Sequence, residues 1–195
     1  VDCHAGGGGG GIAFSELRRE LVTVSNSHFE RCATDNLFAV GATGGGVHVS
    51  GSDHSIRVLR VSNSSFANCA AYTGGAVHQD GSVAHRVELA DVHMLRCTVP
   101  SGDGGALALR STAQRVDVSI SGGTWRECSA PDGHGGALFT AGNVTVRLFD
   151  DVRFDGGRAV RGGAVALLGT GAELNIRETH FEACEANDVG GGVYV

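Results

Sequence analysis

Six cysteines fall at one position of a repeated phrase, and that regularity restricts the fold more than any other feature of the chain. The phrase is clearest in Trp125-Arg126-Glu127-Cys128, followed after a short turn by Gly135-Gly136-Ala137-Leu138. It recurs as Phe66-Ala67-Asn68-Cys69 with Gly74-Gly75-Ala76-Val77, as Met94…Cys97 with Gly104-Gly105-Ala106-Leu107, and as Phe181…Cys184 with Gly191-Gly192-Val193. With Gly157 standing where a cysteine is missing, the anchors are Cys3, Cys32, Cys69, Cys97, Cys128, Gly157 and Cys184. Their separations are 29, 37, 28, 31, 29 and 27 residues. A period of that length belongs to solenoids, in which each repeat buries its apolar face only against its neighbours.

The pattern inside each repeat is that of strands. Five places before the aromatic position stand Val24, Val61, Leu89, Ile120, Phe149 and Ile176; seven places before stand Val22, Leu59, Val87, Val118, Arg147 and Leu174. Such alternation at period two, rich in β-branched residues, predicts a strand with one buried face. Arg147, flanked by Val146 and Leu148, implies a one-residue register shift or bulge in its coil. Three places before the aromatic come Asn26, Asn63, Asp91, Gly122, Asp151 and Glu178, residue types suited to a turn. A further short strand follows each glycine triplet, beginning at Ile12, Val47, Val77, Leu107, Leu138, Val165 or Val193.

Three short strands per repeat and no helical segment predict an all-β, right-handed single-stranded parallel β-helix. Residues 1–195 form one such segment of about seven coils, read as a fragment of a longer repeat protein. Stacked at roughly 4.8 Å, the coils would make a rod of about 30 Å. The paired glycines suit either a corner with positive φ or a crossing too narrow for a Cβ, and the residues alone leave both open.

Composition narrows the function classes. The chain holds 32 glycines without a Gly-X-Y period, which excludes collagen, and its 42% hydrophobic content is too high for a disordered tract. A net charge of −6, with no basic cluster beyond Arg18-Arg19, argues against a nucleic-acid partner. No apolar run is long enough for a membrane-spanning helix in this segment. The opening Val1-Asp2-Cys3 has neither the basic nor the apolar region of a signal peptide, and it begins in mid-repeat.

The phrases resemble the repeats of the polymorphic outer membrane protein family, which pair Gly-Gly-Ala-Ile with Phe-x-x-Asn. The nearest match runs from Phe66 through Cys69 to Gly74-Gly75-Ala76-Val77. Cysteine takes the asparagine place, and Val or Leu replaces Ile; such versions look like pectin-lyase-like repeat proteins. The resemblance spans Cys3 to Val195. It implies a secreted or surface-displayed β-helix used for adhesion or architecture, and it brings no catalytic residues.

Several constellations are candidate sites. The column Cys3, Cys32, Cys69, Cys97, Cys128 and Cys184 is expected to pack as small buried thiols. Inter-rung disulfides are the alternative, since a rung spacing of about 4.8 Å lies within disulfide range. The spacing is not C-x-x-C, which disfavours zinc, and no metal or cofactor is expected. His48 and His78, each second after a triplet, are expected to form a solvent-exposed ladder on adjacent rungs. Gly133-His134-Gly135 and Asp150-Asp151 carry elements of polygalacturonase-like enzymes, but in reversed order and without that family's other elements. Asp103 and Asp132 lack the frame of a calcium-binding nonapeptide repeat.

Asn63-Ser64-Ser65 and Asn143-Val144-Thr145 are N-glycosylation sequons in predicted turns. The longest coil carries its extra residues between Cys32 and Gly44, where Leu37, Phe38 and Val40 form a candidate contact loop. The resulting expectation is a non-catalytic structural or adhesive segment of a large extracellular or cell-surface protein. Its partners would be neighbouring repeats or subunits and surface glycans or proteins. A carbohydrate-active hydrolase or lyase, or a carbohydrate-binding module, is the alternative.

Overall fold

The strands stack into a parallel β-solenoid. A computed structural model describes residues 3–15, 19–35, 37–38, 42–51, 56–80, 84–112 and 115–195. Each coil contributes to three ladders. The first follows the glycine triplets and stacks Ile12–Ser15, Val47–Ser50, Val77–Gln79, Leu107–Arg110, Leu138–Ala141, Val165–Leu168 and Val193–Tyr194, all parallel. Seven stacked strands enclose six complete turns between the first and the last.

The second ladder carries the alternating segments and the aromatic position. In two coils these form one 12-residue strand, Ile56–Ala67 and Ala84–Leu95. In the next two they split, as Val116–Ser121 with Thr124–Arg126 and Val144–Phe149 with Val152–Asp155. The third ladder holds the cysteine position, from Cys3–Ala5 on Cys32–Thr34 to Ser129–His134, Arg158–Arg161 and Glu185–Val189, joined by single bridges at Ala70 and Thr98.

Equivalent residues lie directly above one another, so each repeat position becomes an interior column. Val22, Leu59, Val87, Val118 and Val146 stack in one; Val24, Val61, Leu89, Ile120 and Leu148 stack in the next, all ten buried. Phe29, Phe66, Met94, Trp125, Phe154 and Phe181 form a third, with Phe29 stacked on Phe66 at 4.7 Å between centroids and Phe154 on Phe181 at 5.2 Å. Burying each large apolar side chain contributes about 1.5–3 kcal/mol, and no single repeat could do so alone.

Backbone corners explain the polar positions. Asn26, Asn63, Asp91, Gly122, Asp151 and Glu178 all have positive φ. So does the residue before each anchor from Cys32 onward: Arg31, Asn68, Arg96, Glu127, Gly156 and Ala183. Gly, Asn and Asp tolerate this left-handed conformation; Arg31, Arg96, Glu127, Glu178 and Ala183 carry a cost of roughly 1–2 kcal/mol each, which the stacked coils override.

The triplet needs both properties that glycine offers. Gly104 turns the corner with φ 70°, while a Cβ on Gly105 would be driven into the carbonyl oxygen of Gly136 on the next coil. The first glycine is therefore the corner and the second the narrow crossing.

The irregularity around Arg147 is a one-residue shift, but not a bulge within the strand. Val144–Phe149 pairs residue for residue with Val116–Ser121, placing Val146 and Leu148 in the core and Arg147 outside. The extra residue is taken up at the corner, where Asp150 and Asp151 both have positive φ.

Candidate functional site

The cysteines occupy one interior column, with Cys3 and Cys32 as direct ladder partners. Cys32, Cys69, Cys97 and Cys128 are buried, Cys3 and Cys184 half-buried, and none of the six forms a disulfide. From Cys32 onward, the left-handed residue before each cysteine folds the chain so that the thiol meets the carbonyl two residues back. Those contacts run from Cys69 to Ala67 at 3.6 Å, Cys97 to Leu95 at 3.7 Å, Cys128 to Arg126 at 3.4 Å and Cys184 to Glu182 at 3.2 Å.

Successive thiols stand on adjacent coils. Burial, together with the neighbouring Cys69 and Cys3, pushes the Cys32 thiol up to about 12. A hydrogen bond to Cys97, together with burial, raises Cys69; Cys128 and burial likewise raise Cys97. Thiols held protonated are poor nucleophiles and are slow to oxidise or exchange.

Gly157 interrupts the column for a steric reason, because a Cβ there would collide with the carbonyl oxygen of Gly163. Gly157→Cys is therefore expected to destabilise the chain by about 1–3 kcal/mol, although it completes the pattern. The urea midpoint measures this, and an unchanged or higher midpoint would show that the backbone yields there.

His48 and His78 are ladder partners with rings stacked at 5.5 Å and 4°. They do not form an exposed ladder: His78 is only 2% exposed, and burial depresses both imidazoles, His78 to about 3. The turns that precede the triplets fold back over this face. The Thr43 hydroxyl contacts His48 Nδ1 at 2.8 Å, and Gly8 lies against the same ring. Farther along, Ala108, Phe139 and Ala166 form a small apolar cluster on the same outer column.

The two polygalacturonase-like elements have separate partners. Asp103 Oδ1 accepts hydrogen bonds from the backbone N–H and Nδ1 of His134, both at 2.9 Å, and Oδ2 accepts one from Arg110 at 3.2 Å. Arg110 lies over the Phe139 ring, 5.6 Å from its centroid. Asp151 lies at an exposed corner of the second ladder, bound by Arg153 at 2.9 Å and His180 at 3.1 Å. The Arg153 hydrogen bond holds its carboxyl below the usual range, the opposite of what a general acid needs. Asp150 and Asp151 are turn residues, and their hydrogen bonds and ion pairs do not include His134.

Asn63 and Asn143 are both exposed; Asn143 lies at a bend as expected, whereas Asn63 lies within the strand Ile56–Ala67, at a left-handed residue of that strand and not in a turn between strands. In the candidate contact loop, Leu37 is half-buried and Phe38 is 71% exposed, while Val40 lies outside the described residues. No three His, Cys, Asp or Glu side chains converge on a metal position among the described residues.

One surface feature escaped the sequence reasoning. A groove of about 320 Å³ crosses the outer face of the second ladder, lined by Thr124, Arg126, Arg153, Asp155, His180 and Glu182. Its signal was present in the residue just before each aromatic: His28, Ser65, His93, Thr124, Arg153 and His180 form one polar column across the coils. His28 Nδ1 contacts the Ser65 hydroxyl at 2.6 Å, and His93 Nδ1 contacts that of Thr124 at 2.9 Å.

No family model, curated protein or solved structure matches this chain.

Proposed function

We propose that this chain is a non-catalytic segment of a larger secreted or cell-surface protein, serving as a structural or adhesive β-helix of the kind found in polymorphic outer membrane and pectin-lyase-like repeats. The observation that carries this reading is that many of its chemistry-bearing side chains, among the described residues, join coil to coil. The thiols fill the core, and charged residues pair across adjacent coils, as in Arg60–Glu88 at 2.6 Å, Arg96–Glu127 at 3.0 Å, Arg126–Asp155 at 3.1 Å and Arg161–Asp188 at 2.8 Å. Each exposed pair contributes little alone; together they make a rigid polar wall suited to contact with neighbouring subunits, glycans or proteins.

Secretion requires thiols that survive an oxidising compartment. Burial and raised pKa leave Cys32, Cys69 and Cys97 with almost no thiolate, which slows oxidation and exchange. In a eukaryotic secretory route, Asn63 and Asn143 would be the glycan acceptors.

Incubation with pectins, alginates and glycosaminoglycans tests the reading through release of reducing or unsaturated ends. No turnover is expected. Turnover abolished by Asp151→Ala or His134→Ala would overturn it in favour of a carbohydrate-active enzyme. Saturable binding without turnover would favour a carbohydrate-binding module, with the groove around Arg126 and Arg153 as its site.

A further inference from the structure

The cysteine column has a geometry that packing alone does not demand. Cys3, Cys32, Cys69, Cys97 and Cys128 stand on five consecutive coils in one ladder register, through Cys3 opposite Cys32 and the bridges Ala33–Ala70, Ala70–Thr98 and Thr98–Ser129. Five sulfurs define four gaps, closed off at Gly157, beyond which Cys184 has no sulfur on the coil below. Parallel ladders repeat at about 4.8 Å, close to twice a metal–thiolate bond of about 2.3 Å. A cation between two stacked sulfurs would therefore meet both in line.

The ladder also selects the type of ion. Zinc requires four ligands, and no three ligating side chains converge among the described residues. What the column offers is two soft sulfurs at a time, with Cys32, Cys69, Cys97 and Cys128 buried and Cys3 half-buried at its end. That suits monovalent d¹⁰ ions, which favour thiolate and accept linear two-coordination.

We propose that this column binds soft monovalent cations of the Cu(I) or Ag(I) class, one in each gap between successive thiols from Cys3 to Cys128. Each cation displaces one proton: an S–H bond breaks, a metal–sulfur bond forms, and the proton leaves to solvent. The second sulfur completes the coordination, as a thiol or as a thiolate shared with the next cation. Four cations thus release four protons and leave one thiol, so the filled column is neutral. Neutrality matters because an uncompensated charge in this interior would carry a large desolvation cost.

The experiment is titration of the reduced chain with Ag(I), which is redox-inert here. Native mass spectrometry reads the stoichiometry, proton release is measured in parallel, and far-ultraviolet circular dichroism checks the fold. Four Ag(I) and four protons per chain with unchanged β-structure are expected, and no uptake of Zn(II). Cys184→Ser should leave the stoichiometry at four, whereas Cys97→Ala, which removes two gaps, should lower it to two. Should Cys97→Ala not fold, Cys128→Ala at the end of the run should bind three. Absence of binding, loss of β-structure on loading, or uptake that falls with Cys184→Ser but not with the column variants would overturn the proposal.

Discussion

Gly105→Ala is expected to cost more than about 3 kcal/mol and to remove the cooperative transition at ordinary temperatures, although it adds one methyl group. The added Cβ would be driven into the Gly136 carbonyl oxygen and would lie 2.6 Å from the Ser129 amide nitrogen. Both are backbone atoms of the next coil, so no rotamer change can relieve the contact. The coils would have to separate, breaking the ladder bonds that hold Leu107–Arg110 to Leu138–Ala141. Equilibrium unfolding in urea measures the effect. Gly7→Ala is the matched control: nothing lies within 4 Å of its Cβ, so its midpoint should stay unchanged or rise slightly as the unfolded chain loses freedom. Equal effects from the two substitutions would show that the triplet glycines are needed for flexibility and not for space.

The contrast between those glycines marks what the sequence could reveal. Columns were legible because stacking imposes the same requirement on every coil, so Val22, Leu59, Val87 and Val118 announce one another through their spacing. Even the exception at Arg147 correctly signalled a one-residue shift. Its position was not legible, because a strand bulge and an extra corner residue produce the same offset, and only the register, with Ser121 opposite Phe149 but Trp125 opposite Phe154, distinguishes them. The histidines were misplaced for a different reason. Pointing away from the coil interior was equated with facing water, yet the turns before the triplets fold back over that face. The apolar residues of the same column, Ala108, Phe139 and Ala166, carried the signal that this face is covered. The polar column of the groove was not legible, because His28, Ser65, His93, Thr124, Arg153 and His180 share no residue type that spacing alone would single out.

The covered histidines lead to the second large effect, an acid-driven loss of stability. His78 lies between His48 and the coil bearing Arg110, with Asp80 acting on His48 and Asp103 engaged by Arg110. Burial first, then His48 and Arg110, depresses the His78 imidazole to about 3 from its ordinary 6.5. With Nδ1 of His78 and Nδ1 of His48 only 3.4 Å apart, one must accept from the other or from Thr43, and two protonated rings would place donor against donor. Below pH 6.5 the unfolded chain therefore binds a proton that the folded chain refuses. Stability is fully present above that pH and declines as pH falls toward 3, by about 3 kcal/mol at pH 4 from His78 alone. His78→Phe keeps a ring in a column where the equivalent residue two coils on is Phe139, and it removes the proton site. Urea unfolding between pH 7 and 4 should give a steep slope for the native chain and a markedly shallower one for the variant. Parallel slopes would mean that the acid sensitivity lies in the surface carboxylates and not in the buried pair.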